Sequence, residues 1–184
     1  FPHVSLTIGS SAFYGCSLLK EILIPVSVTS IGSNAFRDCT SLEQISIPSS
    51  VTEIGACIFR GCTALNQVNL PSSIEKIDEY SFGECTSLIE INIPSSVTLI
   101  CDGCFYGCRQ LNQIQISHSV TYIREKAFYG CVSLSQILIP SYVNEIGSYA
   151  FYECSSLKDI SIPSSLHEIK YNTFSGCKSL IEIA

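Results

Sequence analysis

Eleven cysteines are the side chains of this 184-residue chain best suited to chemistry, whether as nucleophiles, metal ligands or disulfide partners. Eight of them (Cys16, Cys39, Cys62, Cys85, Cys108, Cys131, Cys154 and Cys177) recur at a strict 23-residue interval, leaving Cys57, Cys101 and Cys104 outside the series. Cys101-x-x-Cys104-x-x-x-Cys108 has the look of metal spacing, but Cys108 belongs to the periodic column and no histidine stands near to complete a set. The three histidines, His3, His118 and His167, fall in different repeats. A nucleophile, a base and an orienting acid therefore have no common place to assemble. Paired carboxylates such as Asp78-Glu79 sit at a bend, where solvation accounts for them. The glycines are solitary, with no phosphate-binding loop. These residues point away from an enzyme and imply neither metal nor cofactor.

The elements that carry the cysteines come from the same periodicity. Phenylalanine stands at 13, 36, 59, 82, 105, 128, 151 and 174, three residues before each periodic cysteine. So strict a period means one short supersecondary unit stacked on itself. Coils begin at residues 2, 25, 48, 71, 94, 117, 140 and 163, and 1–184 is a single array with no linker or shift of composition. Coil three reads Pro48-Ser-Ser-Val51-x-x-Ile54-Gly-x-x-Ile58-Phe59-x-x-Cys62-x-x-Leu65-x-x-Val68-x-Leu70. Alternation across Leu65, Val68 and Leu70 predicts a half-buried strand. Proline closes it, because it cannot donate to a continuing ladder. Ser-Ser offers hydroxyls that bond locally to the turn backbone. Val-x-x-Ile predicts a second extended piece, and Gly9, Gly32, Gly55 and Gly147 after it suit a sharp bend. From there to the phenylalanine and cysteine the stretch is too short for an α-helix and predicts a turn or one 3₁₀ turn. About seven apolar side chains per coil, each contributing roughly 1.5–3 kcal/mol when buried, do not offset the ordering of 23 residues at about 1–2 kcal/mol each. Stacked neighbours must share their inner surfaces. With strands about 4.8 Å apart, eight coils span roughly 40 Å.

The thiol column falls at an inward position, which predicts a ladder of buried thiols acting as small hydrophobes rather than disulfides. Cys104 shares a column with Ala12, Ala35, Ala127 and Ala150. Cys57 shares one with Ser11, Asn34, Tyr80, Gly103, Lys126, Tyr149 and Asn172, a polar column expected to face water. Cys57 and Cys101 are thus the expected reactive thiols.

Two outer surfaces carry the candidate contact residues. Gln44, Gln67, Glu90, Gln113, Gln136 and Asp159 precede the central strand aliphatic in successive coils, with Leu23, Ser46, Asn69, Asn92, Gln115, Leu138 and Ser161 alongside. They form a polar, mildly acidic face able to hydrogen-bond a protein or glycan partner. The second surface comes from tyrosines crowding the C-terminal half. Tyr106, Tyr129 and Tyr152 follow the phenylalanine in three consecutive coils, where Arg37, Arg60 and Gly83 stand earlier, with Tyr122 and Tyr149 in adjacent columns. An exposed strip of stacked phenols is expected, and tyrosine is enriched at interaction hot spots because it buries area while keeping a hydrogen bond.

A net charge of −6 and scattered lysines and arginines exclude the clustered basic face of a nucleic-acid binder. No apolar run approaches the roughly 20 residues of a membrane span. Both ends lie within a coil, lacking the polar cap of a terminal repeat. The chain reads as a fragment of a longer array whose bare coils could pair end to end.

The pattern is nearly intact in coil two, at Pro25, Val28, Ile31, Gly32, Ala35, Phe36, Cys39, Leu42, Ile45 and Ile47. It resembles the BspA-like, treponemal-type class of leucine-rich repeats over the whole chain. Departures are local: Ser117 for proline, Ser5 for valine, and Asp78, Cys101, Arg124 and Lys170 for glycine. The resemblance implies a right-handed solenoid with a parallel β-sheet on its concave face. It also implies a non-catalytic adhesion module at the cell surface or outside the cell, binding a host matrix or cell-surface protein. Free thiols and the absence of any Asn-x-Ser/Thr sequon favour the alternative of an intracellular, cytoplasmic scaffold, and a plain structural spacer is the third reading.

Overall fold

The computed structural model describes residues 5–183, a β-solenoid of stacked 23-residue coils without helix; His3 and the expected coil start at residue 2 lie outside the described residues. Short parallel strands recur at two positions of the coil and pair between neighbouring coils as five small sheets. At the first position β1 (Leu6–Ile8), β2 (Val28–Ile31) and β4 (Glu53–Ile54) form one sheet, and β7 (Leu99–Ile100), β9 (Tyr122–Ile123) and β10 (Glu145–Ile146) another. These are the Val-x-x-Ile segments. At the second position β3 (Gln44–Ser46) pairs with β5 (Gln67–Asn69), β6 (Glu90–Asn92) with β8 (Gln113–Gln115), and β11 (Asp159–Ile160) with β12 (Glu182–Ile183). Register follows the repeat: Gln44 pairs with Gln67, Glu90 with Gln113 and Asp159 with Glu182. Side chains two apart share a face, so central aliphatics Ile45, Ile91 and Ile114 are buried while the residues on either side are exposed.

Between the sheets the backbone solves its hydrogen bonding by alternation. N–H groups of Ser11, Phe13 and Gly15 donate forward to carbonyls of Ser33, Ala35 and Arg37 at 2.8–2.9 Å. Those of Ala12, Tyr14 and Cys16 turn back onto Gly9, Ser11 and Phe13 at 3.0–3.2 Å. Chained turns replace the expected single turn and leave no donor of this stretch unused. They require two left-handed residues in each coil. The first column is Ser11, Asn34, Cys57, Tyr80, Gly103, Lys126, Tyr149 and Asn172, with φ of 51–59°. The second, Gly15, Asp38, Gly61, Glu84, Gly107, Gly130, Glu153 and Gly176, has φ of 57–81°.

The bend role expected of Gly32, Gly55 and Gly147 is corrected here. None occupies the left-handed region; each lies where one coil presses on the one before. A Cβ at Gly55 would come within 2.3 Å of the Ser33 amide nitrogen. Where Arg124 takes this place, its N–H still donates to the Ile100 carbonyl at 2.9 Å, matching the 2.8 Å bond from Gly147 to Ile123. Ser117 likewise keeps the turn of the prolines it replaces, accepting from Val120 at 3.0 Å. The paired serines do not bond locally as expected. Ser73 and Ser165 reach back to the Val51 and Val143 carbonyls of the preceding coil, at 2.7 and 2.6 Å.

One continuous core runs the length of the array. Phenylalanine rings stack at centroid distances of 5.2–5.8 Å from Phe13 to Phe174. The cysteine column lies beside them, with every thiol free. Packing is not its whole function. Cys62, Cys85, Cys108, Cys131 and Cys154 each point Sγ at the carbonyl of the phenylalanine one coil earlier, at 3.0–3.2 Å. A small, weakly donating thiol satisfies a buried carbonyl there without the desolvation cost of a stronger polar group. Burial holds these thiols above their ordinary pKa; Cys39 and Cys177, nearer the ends, are each pushed up to about 11. Cys16, in the first coil, is exposed.

Candidate functional site

The phenol strip is present and is built from edges rather than open ring faces. Tyr106, Tyr129 and Tyr152 stack at 4.9 and 4.8 Å with their planes 18° and 16° apart. All three are half-buried, because each covers its neighbour. Tyr149 is brought to the strip, 5.6 Å from Tyr152, and Tyr171 meets Tyr149 edge-on at 5.4 Å. Tyr122 is not. It lies on β9 of the Val-x-x-Ile sheet, beneath the Arg124 guanidinium at 4.9 Å.

Tyr80 was missing from the expected strip. Its column lies beside that of the stack, but Gly83 and Gly103 leave room for its ring, which packs 6.1 Å from Tyr106. The signal was available in the pairing of that tyrosine with two glycines in the facing positions. Arg60 covers the other side of Tyr80 at 5.2 Å, and Arg37 covers Tyr14 at 5.6 Å. Planar guanidinium groups thus replace rings in the earlier coils.

Beside Tyr106 and Tyr129 the left-handed column runs through Gly107 and Gly130, which stack with no side chain between them. The result is a notch of ≈100 Å³ bounded by the two tyrosines, Arg109, Val132 and Glu153. Among the described residues, the Tyr106, Tyr129 and Tyr152 hydroxyls are neither bonded to the chain nor buried without a partner, so they face solvent. Burial, with Glu153 nearby, holds the Tyr129 phenol above its ordinary pKa.

The amide-and-acid column lies where its alternation placed it. Gln44, Gln67, Glu90, Gln113, Gln136 and Asp159 are all exposed, along with the intervening Leu23 and Leu138. Two shallow depressions lie over this sheet, ≈620 Å³ around Leu23, Gln44 and Gln67 and ≈460 Å³ around Gln113, Gln136 and Leu138.

The thiol expectations need correcting. Cys101 is buried, and desolvation pushes it up to about 11, so it is no nucleophile at neutral pH. Cys104 and Cys108 are wholly buried, their thiols raised for the same reason. Cys57 is half-buried. Among the described residues no group of three histidine, cysteine or carboxylate side chains is placed to hold a metal. His118 and His167 are exposed. The substitutions in the glycine column form an ion-pair cluster instead: Lys170 and Arg124 hold Glu145 from either side at 2.8 and 3.2 Å. The Lys170 hydrogen bond is the main cause of a Glu145 pKa below the usual carboxylate range. No helix in the described residues is long and apolar enough to cross a membrane.

Comparison with known proteins agrees with this geometry. A leucine-rich cell surface protein of Faecalibacterium prausnitzii is 31% identical, with a TM-score of 0.66 over 96% of this chain and 56% of its own. A leucine-rich repeat protein of Bacteroides ovatus is 29% identical, with a TM-score of 0.61 over 96% of this chain and 63% of its own. The leucine-rich repeat protein of T. pallidum is 28% identical, with a TM-score of 0.61 over 96% and 72%. The chain therefore spans somewhat more than half the length of the first two. No curated protein matches it. The family profile described as BspA type leucine rich repeat region matches six copies over residues 6–112 and 75–184. With that match across nearly every coil, the chain belongs to the BspA-type leucine-rich repeat family.

Proposed function

We propose that this chain is a non-catalytic binding segment of a cell-surface protein, which adheres to a host matrix or surface protein through the outer tyrosines of its C-terminal half. The observation carrying this reading is the contiguous set Tyr80, Tyr106, Tyr129, Tyr152, Tyr149 and Tyr171, joined at 4.8–6.1 Å on the outside of the array. The core does not need them, since the phenylalanine ladder is complete one residue away. Rigid aromatic side chains with an available hydroxyl lose little conformational entropy on binding and give area and a hydrogen bond together. A structural neighbour described as a cell surface protein supports the location.

The test is capture from an extracellular-matrix extract, compared with a cell lysate, using the wild-type chain and a Tyr106→Ser/Tyr129→Ser/Tyr152→Ser variant. Matrix capture lost in the variant supports both adhesion and the site. Equal capture by both moves the site to the amide-lined sheet, and exclusive capture of cytosolic proteins overturns surface adhesion in favour of an intracellular scaffold.

A further inference from the structure

The tyrosine ladder restricts what can lie against it. A ligand that stacks on aromatic faces, such as a sugar ring, finds those of Tyr129 already covered from both sides at 4.8 and 4.9 Å. What remains is a row of ring edges with one outward hydroxyl per coil. Such a row suits a partner that lies along the array and carries a hydrogen-bond acceptor at a matching interval. A β-strand does not fit this description, because its acceptors are committed to a sheet or need backbone donors to pair with. A polyproline II segment fits better. It has no internal hydrogen bonds, so its carbonyls remain open, and its three residues per turn at about 3.1 Å each repeat every 9.3 Å or so. Two ladder steps of 4.9 and 4.8 Å place Tyr152 about 9.7 Å from Tyr106. One turn of such a segment therefore spans two coils, presenting the same side to Tyr106 and Tyr152.

The notch supplies the second half of the fit. Its floor is bare backbone at Gly107 and Gly130, it is walled by Tyr106, Tyr129 and Val132, and its ≈100 Å³ accommodates a proline ring. Glu153, exposed at one end of the notch, offers a carboxylate to a basic residue following the prolines, while Arg109, two coils earlier on its lining, disfavours a cation at the other end. We infer that the tyrosine ladder and its glycine-floored notch dock a proline-rich segment of a protein partner in the polyproline II conformation, running along the array with a basic residue toward Glu153. This rests on the binding reading above and names its partner's chemistry. Such segments enter binding already extended, so little ordering entropy is lost.

The probe is a fluorescently labelled nine-residue proline-rich peptide ending in arginine, titrated by anisotropy against the whole chain, with an alanine-for-proline peptide as control. Saturable binding is expected, with the control peptide weaker by about tenfold or more. A Tyr106→Phe/Tyr129→Phe/Tyr152→Phe variant keeps the stack but loses the hydroxyl donors, including those of Tyr106 and Tyr152 that one turn of the segment spans. It should also bind about tenfold or more weakly, at roughly 0.5–1.5 kcal/mol per hydrogen bond, with melting unchanged. Glu153→Gln should reduce the salt dependence of binding. No binding, equal binding of both peptides, or full binding by the phenylalanine variant overturns the inference. If the serine variant loses matrix capture while the proline peptide neither binds nor competes, the inference falls and the adhesion reading stands. If the peptide binds through the tyrosines yet matrix capture is indifferent to them, the adhesion reading falls instead.

Discussion

Phe105 and Tyr106 are adjacent in the chain and stand in two ladders of almost the same construction, yet the ladders differ in extent. The phenylalanine ladder passes through every coil at 5.2–5.8 Å, its rings from Phe36 to Phe151 fully buried. The tyrosine ladder occupies three coils, half-exposed, and gives way to Gly83, Arg60 and Arg37 toward the N-terminus. The inner column cannot change because an absent ring leaves a cavity between two coils that cannot close on it. On the outside, a ring, a guanidinium or a glycine with a neighbouring tyrosine folded over it all complete the surface. Variation is permitted there, and a binding specificity can be written there.

The comparison is broken most severely from the inside. Phe105→Ala is expected to cost about 3–5 kcal/mol, read as a large loss in thermal melting; a melt within a degree or two of wild type would remove Phe105 from the core. Next comes the thiol column. Cys108→Ala removes the donor to the Phe82 carbonyl and should cost roughly 1–3 kcal/mol, whereas Cys16→Ala, at an exposed site, should be nearly silent. Buried thiols also set the alkaline limit. Cys39, Cys101 and Cys177 are raised to about 11 in the folded chain, so the folded state holds protons that the unfolded chain releases. Stability should be fully present below the unfolded thiol pKa and decline as pH rises from there through about 11, and a Cys101→Ser/Cys177→Ser variant should decline less steeply, since the other buried thiols remain.

Outside, effects shrink. Tyr129→Ala should cost only about 0.5–1.5 kcal/mol for its two stacking contacts, while removing binding altogether; a cost matching that of Phe105→Ala would make the outer ladder structural. Smallest is the ion-pair cluster. Glu145 has a lowered pKa, so its contribution is present above the unfolded carboxylate pKa and lost as pH falls through the folded value. Glu145→Gln should flatten that acid-side decline and leave neutral stability little altered, since Arg124 and Lys170 are substantially exposed. Urea midpoints compared between pH 3 and 7 read this directly.

Most of the fold was legible from the 23-residue columns, because each inward position must be apolar in every coil for the stack to close. The strand positions and the buried phenylalanines follow from that rule, and the Tyr106–Tyr129–Tyr152 alignment from the period itself, although some coils, the first and eighth among them, form only one of the two strands. Gly55 was misjudged because a close approach to the preceding coil and a bend call for the same residue, and only interatomic distance separates them. The left-handed column through Tyr80, Lys126 and Tyr149 hid for a related reason: these residues rarely adopt that conformation, and two neighbouring coils hold them to it. Cys101 looked available because its column is otherwise glycine or charge, but neighbouring packing buries it.

Sequence by itself determined the repeat, the strands, the contents of the core and the family, since one period applied eight times leaves few ways to bury the same side chains. The tertiary structure decided which outer residues meet. Tyr80 reaching across two glycines, Tyr122 lying under Arg124 instead of joining the ladder, and the bare notch at Gly107 and Gly130 depend on directions and distances between coils. Surface side chains are under no common packing rule, so only the assembled neighbours determine where each one comes to rest.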